Sequence, residues 1–186
     1  MEIIFIRHAE KEELGENPSL TDRGIKQAKY LAKRLTKLKT FDGFYCSDLE
    51  RARQTAEIVS KKIKIKSKIE KSLNEFKSET IKENKNKWGK DEKKHYDNLI
   101  SFLKKITKNP NEKRKILIIA HGITNRIILS YFLGLNLRKL IQFRTRETGI
   151  NSVYWVEKFK NWRLKIWNDN NHIPIKLRYN KFSYLL

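Results

Sequence analysis

Two short apolar runs constrain this chain more than any other feature in it. Ile3-Ile4-Phe5-Ile6 leads into Arg7-His8, and Ile116-Leu117-Ile118-Ile119-Ala120 leads into His121-Gly122. Each run reads as a buried strand, and in an open parallel α/β sheet the carboxyl ends of the strands border the ligand crevice. Two histidines are therefore expected at one edge of the sheet, facing one pocket.

The rest of the chain fills in around these strands. Thr21 is the expected N-cap of a helix reaching about Leu38, with Ile25, Ala28, Leu31, Ala32, Leu35 and Leu38 at helical spacing. Gly43 to Cys46 reads as a second strand. Ser47 and Glu50 have the spacing of a capping box, which starts a helix through about Lys62. Ile63, Ile65 and Ser67 alternate with lysines as in an exposed or edge strand. Between Ser72 and Asn109 the chain is polar apart from Leu73, Phe76, Trp88 and the helical series Tyr96, Leu99, Ile100, Leu103 and Ile106. This predicts a mobile segment and then an amphipathic helix, broken at Asn109-Pro110-Asn111. Thr124 to Leu133 continues as a helix ended at Gly134, and Val153–Phe159 with Trp162–Trp167 reads as a hairpin around Lys160-Asn161. The expected fold is a three-layer α/β/α domain with a mostly parallel central sheet and an antiparallel edge hairpin. A single domain is expected over 1–186, with a cap-like segment at about 72–110.

Composition narrows the setting. With 186 residues, 39% of them hydrophobic, the chain can bury one substantial core. Its formal net charge is +21, and residues 61–115 hold 19 Lys or Arg against 8 Asp or Glu. Such a field draws anions and weakens with salt. The lysines are scattered among Ile, Asn and Glu rather than set between stacking aromatics, so the signal for a nucleic-acid partner is weak. Cys46 is the single cysteine and sits in an apolar run, which excludes an internal disulfide and fits a buried thiol in a reducing compartment. The opening apolar run is too short for a signal peptide and no stretch is long enough to cross a bilayer, so a cytoplasmic protein without a membrane partner is expected. The sequence sets no oligomeric state, and it shows no carboxylate cluster or His/Cys spacing of a metal site.

Transfer of a phosphoryl group to a protein nucleophile needs an atom in line with the leaving oxygen. It also needs positive groups around the equatorial oxygens, and a proton for the departing alcohol. Candidates for each are present in order along the chain: Arg7-His8, then Ser47-Asp48-Leu49-Glu50-Arg51-Ala52-Arg53-Gln54-Thr55-Ala56, then Glu75, then His121-Gly122. This order resembles the histidine phosphatase superfamily, the phosphoglycerate mutase-like group, in its phosphatase branch. The resemblance implies that His8 is the nucleophile and passes through a phosphohistidine. It implies that Arg7, Arg51 and His121 bind the phosphate, and that Glu75 protonates the leaving group and then activates water. It implies no cofactor, no metal, and a small phosphorylated substrate. Leu20-Thr21 with Gly24, Gln27 and Ala28 resembles the family's first helix start, and Asn151-Ser152 with Asn168 to His172 resembles its C-terminal pattern. His172 is accordingly read as structural, and His95 has no matching role; Arg126, where the family often carries a base, either lines the pocket or makes a helix-surface salt bridge, and the salt bridge is the favoured reading.

Two departures from the family pattern stand out. Ala9 replaces the glycine of the Arg-His-Gly signature, which matters if the backbone there needs a positive φ. The loop from Glu10 to Ser19 is short and lacks the family's further substrate contacts. A phosphomonoesterase is the leading reading. The alternatives are a cofactor-dependent phosphoglycerate mutase, a phosphoprotein phosphatase, and a non-catalytic module that binds anions or nucleic acid.

Overall fold

The apolar runs of the sequence alternate their side chains between two layers, and this decides where the helices lie. The computed structural model describes residues 1–38, 40–77, 80, 87–110 and 113–178. Among these, the strands β1 (Glu2–Arg7), β2 (Gly43–Cys46), β3 (Lys68–Ile69), β4 (Lys115–Ala120), β5 (Ile150–Val156) and β6 (Asn161–Asp169) form one sheet in the order β3-β2-β4-β1-β5-β6. β1, β2, β3 and β4 are mutually parallel; β5 is antiparallel to β1, and β6 to β5. The helices are α1 (Asp22–Leu35), α2 (Glu50–Ile63), α3 (Lys90–Ile106), α4 (Gly122–Leu133) and the short α5 (Ile175–Arg178).

Ile4 and Ile6 of β1, with Leu117 and Ile119 of β4, pack against Leu31 and Leu35 of α1 and Ala52, Ala56 and Val59 of α2. Ile3 and Phe5, with Ile116 and Ile118, face the opposite layer of Leu99 and Leu103 from α3 and Ile127 and Ile128 from α4. Each such fully buried aliphatic side chain contributes about 1.5–3 kcal/mol. The three-layer α/β/α arrangement with an antiparallel hairpin at one edge is thus as expected. The chain leaves β1 into the layer of α1 but leaves its neighbour β4 into the layer of α4. A crevice opens between strand ends that diverge in this way.

Several element boundaries differ from the sequence reading, each for an identifiable reason. Ser47 does not cap α2. The N-cap is Leu49, with no side-chain cap bond, and the Ser47 hydroxyl is committed elsewhere; Asn17 Oδ1 instead accepts from the Glu50 amide at 2.8 Å. The edge strand begins at Lys68 because α2 runs to Ile63 and ends on Lys64 in the left-handed conformation (φ 63). α4 starts at Gly122, two residues before the expected start at Thr124, with His121 as its N-cap. β5 begins at Ile150 and gives way after Val156 to a 3-10 turn, Glu157–Phe159. Thr21 does cap α1, accepting from the Gly24 amide at 2.8 Å. Part of the stretch read as mobile, 78–79 and 81–86, lies outside the described residues; its described parts bury Leu73, Phe76 and Trp88. Among the described residues no helix is long and apolar enough to cross a membrane.

Candidate active site

The connection from β1 into α1 is stapled down along its length. The Ala9 amide donates to Thr55 Oγ1 (3.1 Å), the Glu10 amide to Gln27 Oε1 (2.9 Å), and the Leu20 amide to Gln54 Oε1 (2.7 Å). The Thr21 amide returns to the Glu10 carbonyl at 3.1 Å, and Arg23 pairs with the Glu10 carboxylate at 3.4 Å. Gly24 is required by this closure: a Cβ there would lie 2.0 Å from the Glu10 carbonyl oxygen. Ala9 itself has no positive φ and is fully buried against Leu20 and Ala28, so its methyl group fits where the family signature has glycine.

His8 is buried at the end of β1. Its Nδ1 lies 2.6 Å from the Ala9 carbonyl, and its Nε2 lies 3.2 Å from Arg51 Nε. Arginine can only donate and a carbonyl can only accept, so the network assigns the proton to Nδ1 and a lone pair to Nε2. Burial above all, then the His121 and Arg7 charges, hold the His8 pKa well below its usual value. The imidazole is neutral and nucleophilic at neutral pH. From the other side, the Thr148 amide reaches the Arg7 carbonyl (3.0 Å) and the His8 carbonyl (3.3 Å). It does so with φ 54, a costly conformation for a β-branched residue.

The His121 ring lies 5.0 Å from the His8 ring, inclined at 59°. Asn74 Oδ1 accepts from the Asp48 amide (3.0 Å) and from the Ser47 hydroxyl (2.7 Å). With its one proton committed, Ser47 Oγ can only accept from His121 Nε2, at 2.7 Å. In neutral His121 the free lone pair is then on Nδ1, which is buried without a partner. Burial, Arg51 and Arg7 lower the His121 pKa as well. To donate from Nδ1 this ring must take up a proton, which a bound dianion would favour.

Arg7 is fixed by the Thr145 carbonyl (Nη1, 2.8 Å) and by Glu147 (Nη2, 3.0 Å), leaving its Nε buried and unpartnered. Glu75 sits on the connection between β3 and α3, where buried Leu73 and Phe76 anchor it. Its carboxylate accepts from the amides at the start of α4: Gly122 (3.1 Å), Ile123 (3.0 Å) and Thr124 (3.3 Å). Burial raises its pKa, opposed by Arg7 and by these amides, and the rise prevails. The helix N-terminus thus carries the carboxylate beside His121.

The five residues singled out in the sequence, Arg7, His8, Arg51, Glu75 and His121, are therefore brought to one crevice. Arg126 is not the helix-surface salt bridge expected of it. Its Nε is buried without a partner, and it feels Arg7, Arg144 and Glu75. His172 is structural as read, with Nε2 3.3 Å from Thr148 Oγ1 and a pKa that burial lowers to about 4. His95 stacks on Phe76 (3.9 Å, 5°), and its Nε2 lies 3.2 Å from the Ser72 carbonyl, so it braces the turn that carries Glu75. Sequence reasoning missed Ser47 as a partner of His121, and also Asn74, Thr145, Glu147 and Thr148. Asn74 beside Glu75 was the one visible hint.

Comparison with known proteins gives the chain a family and its fold relatives. The sequence pattern of the histidine phosphatase superfamily (branch 1) matches residues 3–170. The chain belongs to this superfamily. A stretch of 65 residues is 46% identical to the mitochondrial serine/threonine-protein phosphatase Pgam5 of Drosophila mojavensis, covering 33% of this chain and 22% of that relative's length. A mutant phosphoserine phosphatase of Entamoeba histolytica, solved with phosphoserine, superposes with a TM-score of 0.71 at 20% identity, over 93% of this chain and 99% of that one. A putative alpha-ribazole-5'-P phosphatase of Escherichia coli gives 0.72 at 22% identity, over 91% and 97%. The three-layer sheet of this histidine phosphatase superfamily member is thus shared along nearly its whole length.

Proposed function

We propose that this chain is a phosphomonoesterase that works through a phosphohistidine on His8, without a metal. The observation that carries the reading is the pair of neutral imidazoles enclosed by Arg7 and Arg51, with the His8 Nε2 lone pair held by Arg51 Nε, which must turn to the phosphate to free it, and a carboxyl of raised pKa beside them. His8 Nε2 attacks phosphorus, and the ester oxygen leaves with the proton of Glu75. Arg7 and Arg51 neutralise the equatorial oxygens, and His121, protonated at Nδ1, adds a further donor. Glu75, now ionised, takes a proton from water, which attacks phosphorus. The P–N bond breaks, its electron pair returns to Nε2, and inorganic phosphate departs. The phosphoserine bound by the Entamoeba relative supports a small phosphorylated substrate. The stretch shared with the Drosophila protein phosphatases supports a phosphoprotein as the second reading. Of the stretch 72–110 expected to be cap-like, α3 is a layer helix packed on the sheet, and the connection that carries Glu75 would border the crevice, within one catalytic unit.

The test is hydrolysis of an aryl phosphate after exhaustive chelation, with trapping of an acid-labile, base-stable phosphoenzyme. Turnover and label are expected in the native chain, and both should vanish in a folded His8→Ala variant. Turnover by His8→Ala, or loss on chelation restored by a divalent ion, overturns the reading.

A further inference from the structure

Helices α1 and α2 pack on the same face of the sheet, and the seam between them is open on its outer side. Lys29, Ala32 and Lys33 of α1 and Ile58, Lys61 and Lys62 of α2 line a groove of about 570 Å³ there. The spacing explains the arrangement: each set of three lies at i, i+3 and i+4, so each helix turns one stripe to the seam. Ala32 and the half-buried Ile58 make the floor. Ile58 is held there because it packs on the core of Leu31 and Val59 and on the smaller cluster of Ala9, Leu20 and Ala28. The four lysines are exposed, so their aliphatic stems can cover the walls while the ammonium groups stay in water.

The groove brings almost no negative charge of its own. The sequence has no Asp or Glu between Lys26 and Lys37, nor between Ile58 and Ile69. Glu57 pairs with Lys61 at 2.7 Å, but both are exposed and such a pair is weak. Among the described residues no carboxylate lies within ion-pair distance of Lys29, Lys33 or Lys62. An apolar floor between two cationic rims is therefore left open to solvent.

This combination selects the occupant. A nucleic acid would meet the lysines but leave the floor unfilled, since no aromatic ring lines the groove for a base to stack on. A bilayer takes up side chains that protrude, whereas this floor is recessed, with Ala32 only 2% exposed. A second copy would bring a net charge of +21 against the lysines, and residues 179–186 of the chain itself hold no Asp or Glu. We infer that the groove between α1 and α2 is a docking site for an acidic amphipathic segment of another protein, which sets an aliphatic side chain on the floor and carboxylates against both rims. Helix-in-groove recognition of this kind takes its affinity from the apolar anchor and its selectivity from the charges. Ile58 lies about 10 Å along α2 from Arg51, so the docked segment sits beside the phosphate pocket and leaves it free.

The test is fluorescence anisotropy with the full chain at physiological salt. An acidic peptide with leucines at helical spacing should bind roughly 10- to 100-fold tighter than the same peptide with serine for leucine, the factor that burial of a leucine side chain provides. Lys29→Glu with Lys62→Glu should weaken the leucine peptide by about 10-fold or more. Lys104→Glu with Lys105→Glu, the same change of net charge at exposed positions of α3, should weaken it far less. Ile58→Asp should abolish the advantage of leucine over serine. Thermal unfolding checks that each variant is folded, and the exposed lysine pair decides the matter should Ile58→Asp fail that check. Equal binding of both peptides, or equal losses from the two lysine pairs, overturns the inference. So does tighter binding of oligothymidine or of phosphatidylserine vesicles that is lost in Lys29→Glu with Lys62→Glu, which assigns the groove to a nucleic acid or a membrane. A gain in peptide affinity on removal of residues 179–186 overturns it too, by making the chain's own end the occupant.

Discussion

His8 and Glu75 face one crevice, but the chain holds them by different means. His8 follows directly from β1 in the middle of the sheet, and its loop is tied to both α1 and α2 by side chains of Gln27, Gln54 and Thr55. Glu75 lies beyond the two-residue edge strand β3, and its hold is a set of amide hydrogen bonds from α4 with the His95 and Phe76 rings behind it. On the proposed route the difference separates two demands on the site. The attacking nitrogen needs a fixed line of approach, which a rigid scaffold provides. The acid must follow leaving groups of different shape, and a connecting segment suits that better. Substrate preference is accordingly expected to vary on the Glu75 side.

The sharpest way to probe the acid side is Glu75→Gln. It should slow alkyl phosphates by roughly 10²- to 10⁴-fold, and aryl phosphates with acidic phenols much less, since those leave without full proton transfer. Equal small losses on both substrate types would remove Glu75 from the chemistry. On the nucleophile side, Arg51→Gln should lower kcat by about 10²- to 10³-fold for every substrate alike, as expected for loss of one preorganised donor. A loss that tracks the leaving group would instead tie Arg51 to the alcohol.

The pH profile divides along the same line. His8 must be neutral to attack and its pKa is lowered, so the acid limb should lie below the free imidazole range. Glu75 must start protonated and its pKa is raised, so activity should fall as pH rises through a value above the free carboxyl range. Loss of the alkaline limb alone in Glu75→Gln would confirm the assignment; an unchanged profile would refute it. The scaffold itself is probed by Gly24→Val, which drives a side chain into the Glu10 carbonyl. It should cost roughly 1–3 kcal/mol in urea unfolding and lower activity with it. His95→Leu should be milder, at about 1 kcal/mol or less, with its effect on kcat confined to alkyl phosphates. A larger loss for His95→Leu than for Gly24→Val would invert the comparison.

The layers and the strand ends were legible in the sequence because buried strands and capped helices leave local patterns. Thr21 and Gly24 mark the start of α1, and Ile116 to Ala120 marks β4. His8 and His121 were findable for the same reason, each lying one residue past an apolar run. What was not legible depends on distant parts of the chain. Ser47 has the local spacing of a helix cap, yet His121 and Asn74 claim its hydroxyl. Arg126 has the place of a helix-surface salt bridge, yet its Nε is buried without a partner and it feels the charges of Arg7, Arg144 and Glu75. Thr148 gives no sign in the sequence that its amide will close the end of β1.

The partner of His8 Nδ1 bears on how long a phosphorylated enzyme would last. That partner is a peptide carbonyl, Ala9's own, and not a carboxylate. A carboxylate would keep the Nδ1 proton on the ring but raise the ring's basicity through its charge, and so make the phosphorylated nitrogen a poorer leaving group. A carbonyl accepts the hydrogen bond without taking the charge, so the ring stays cationic and electron-poor. An electron-poor imidazole is a good leaving group. On the proposed route the intermediate is therefore short-lived, which suits a hydrolase that yields to water and not a mutase that must store its phosphoryl group between substrates.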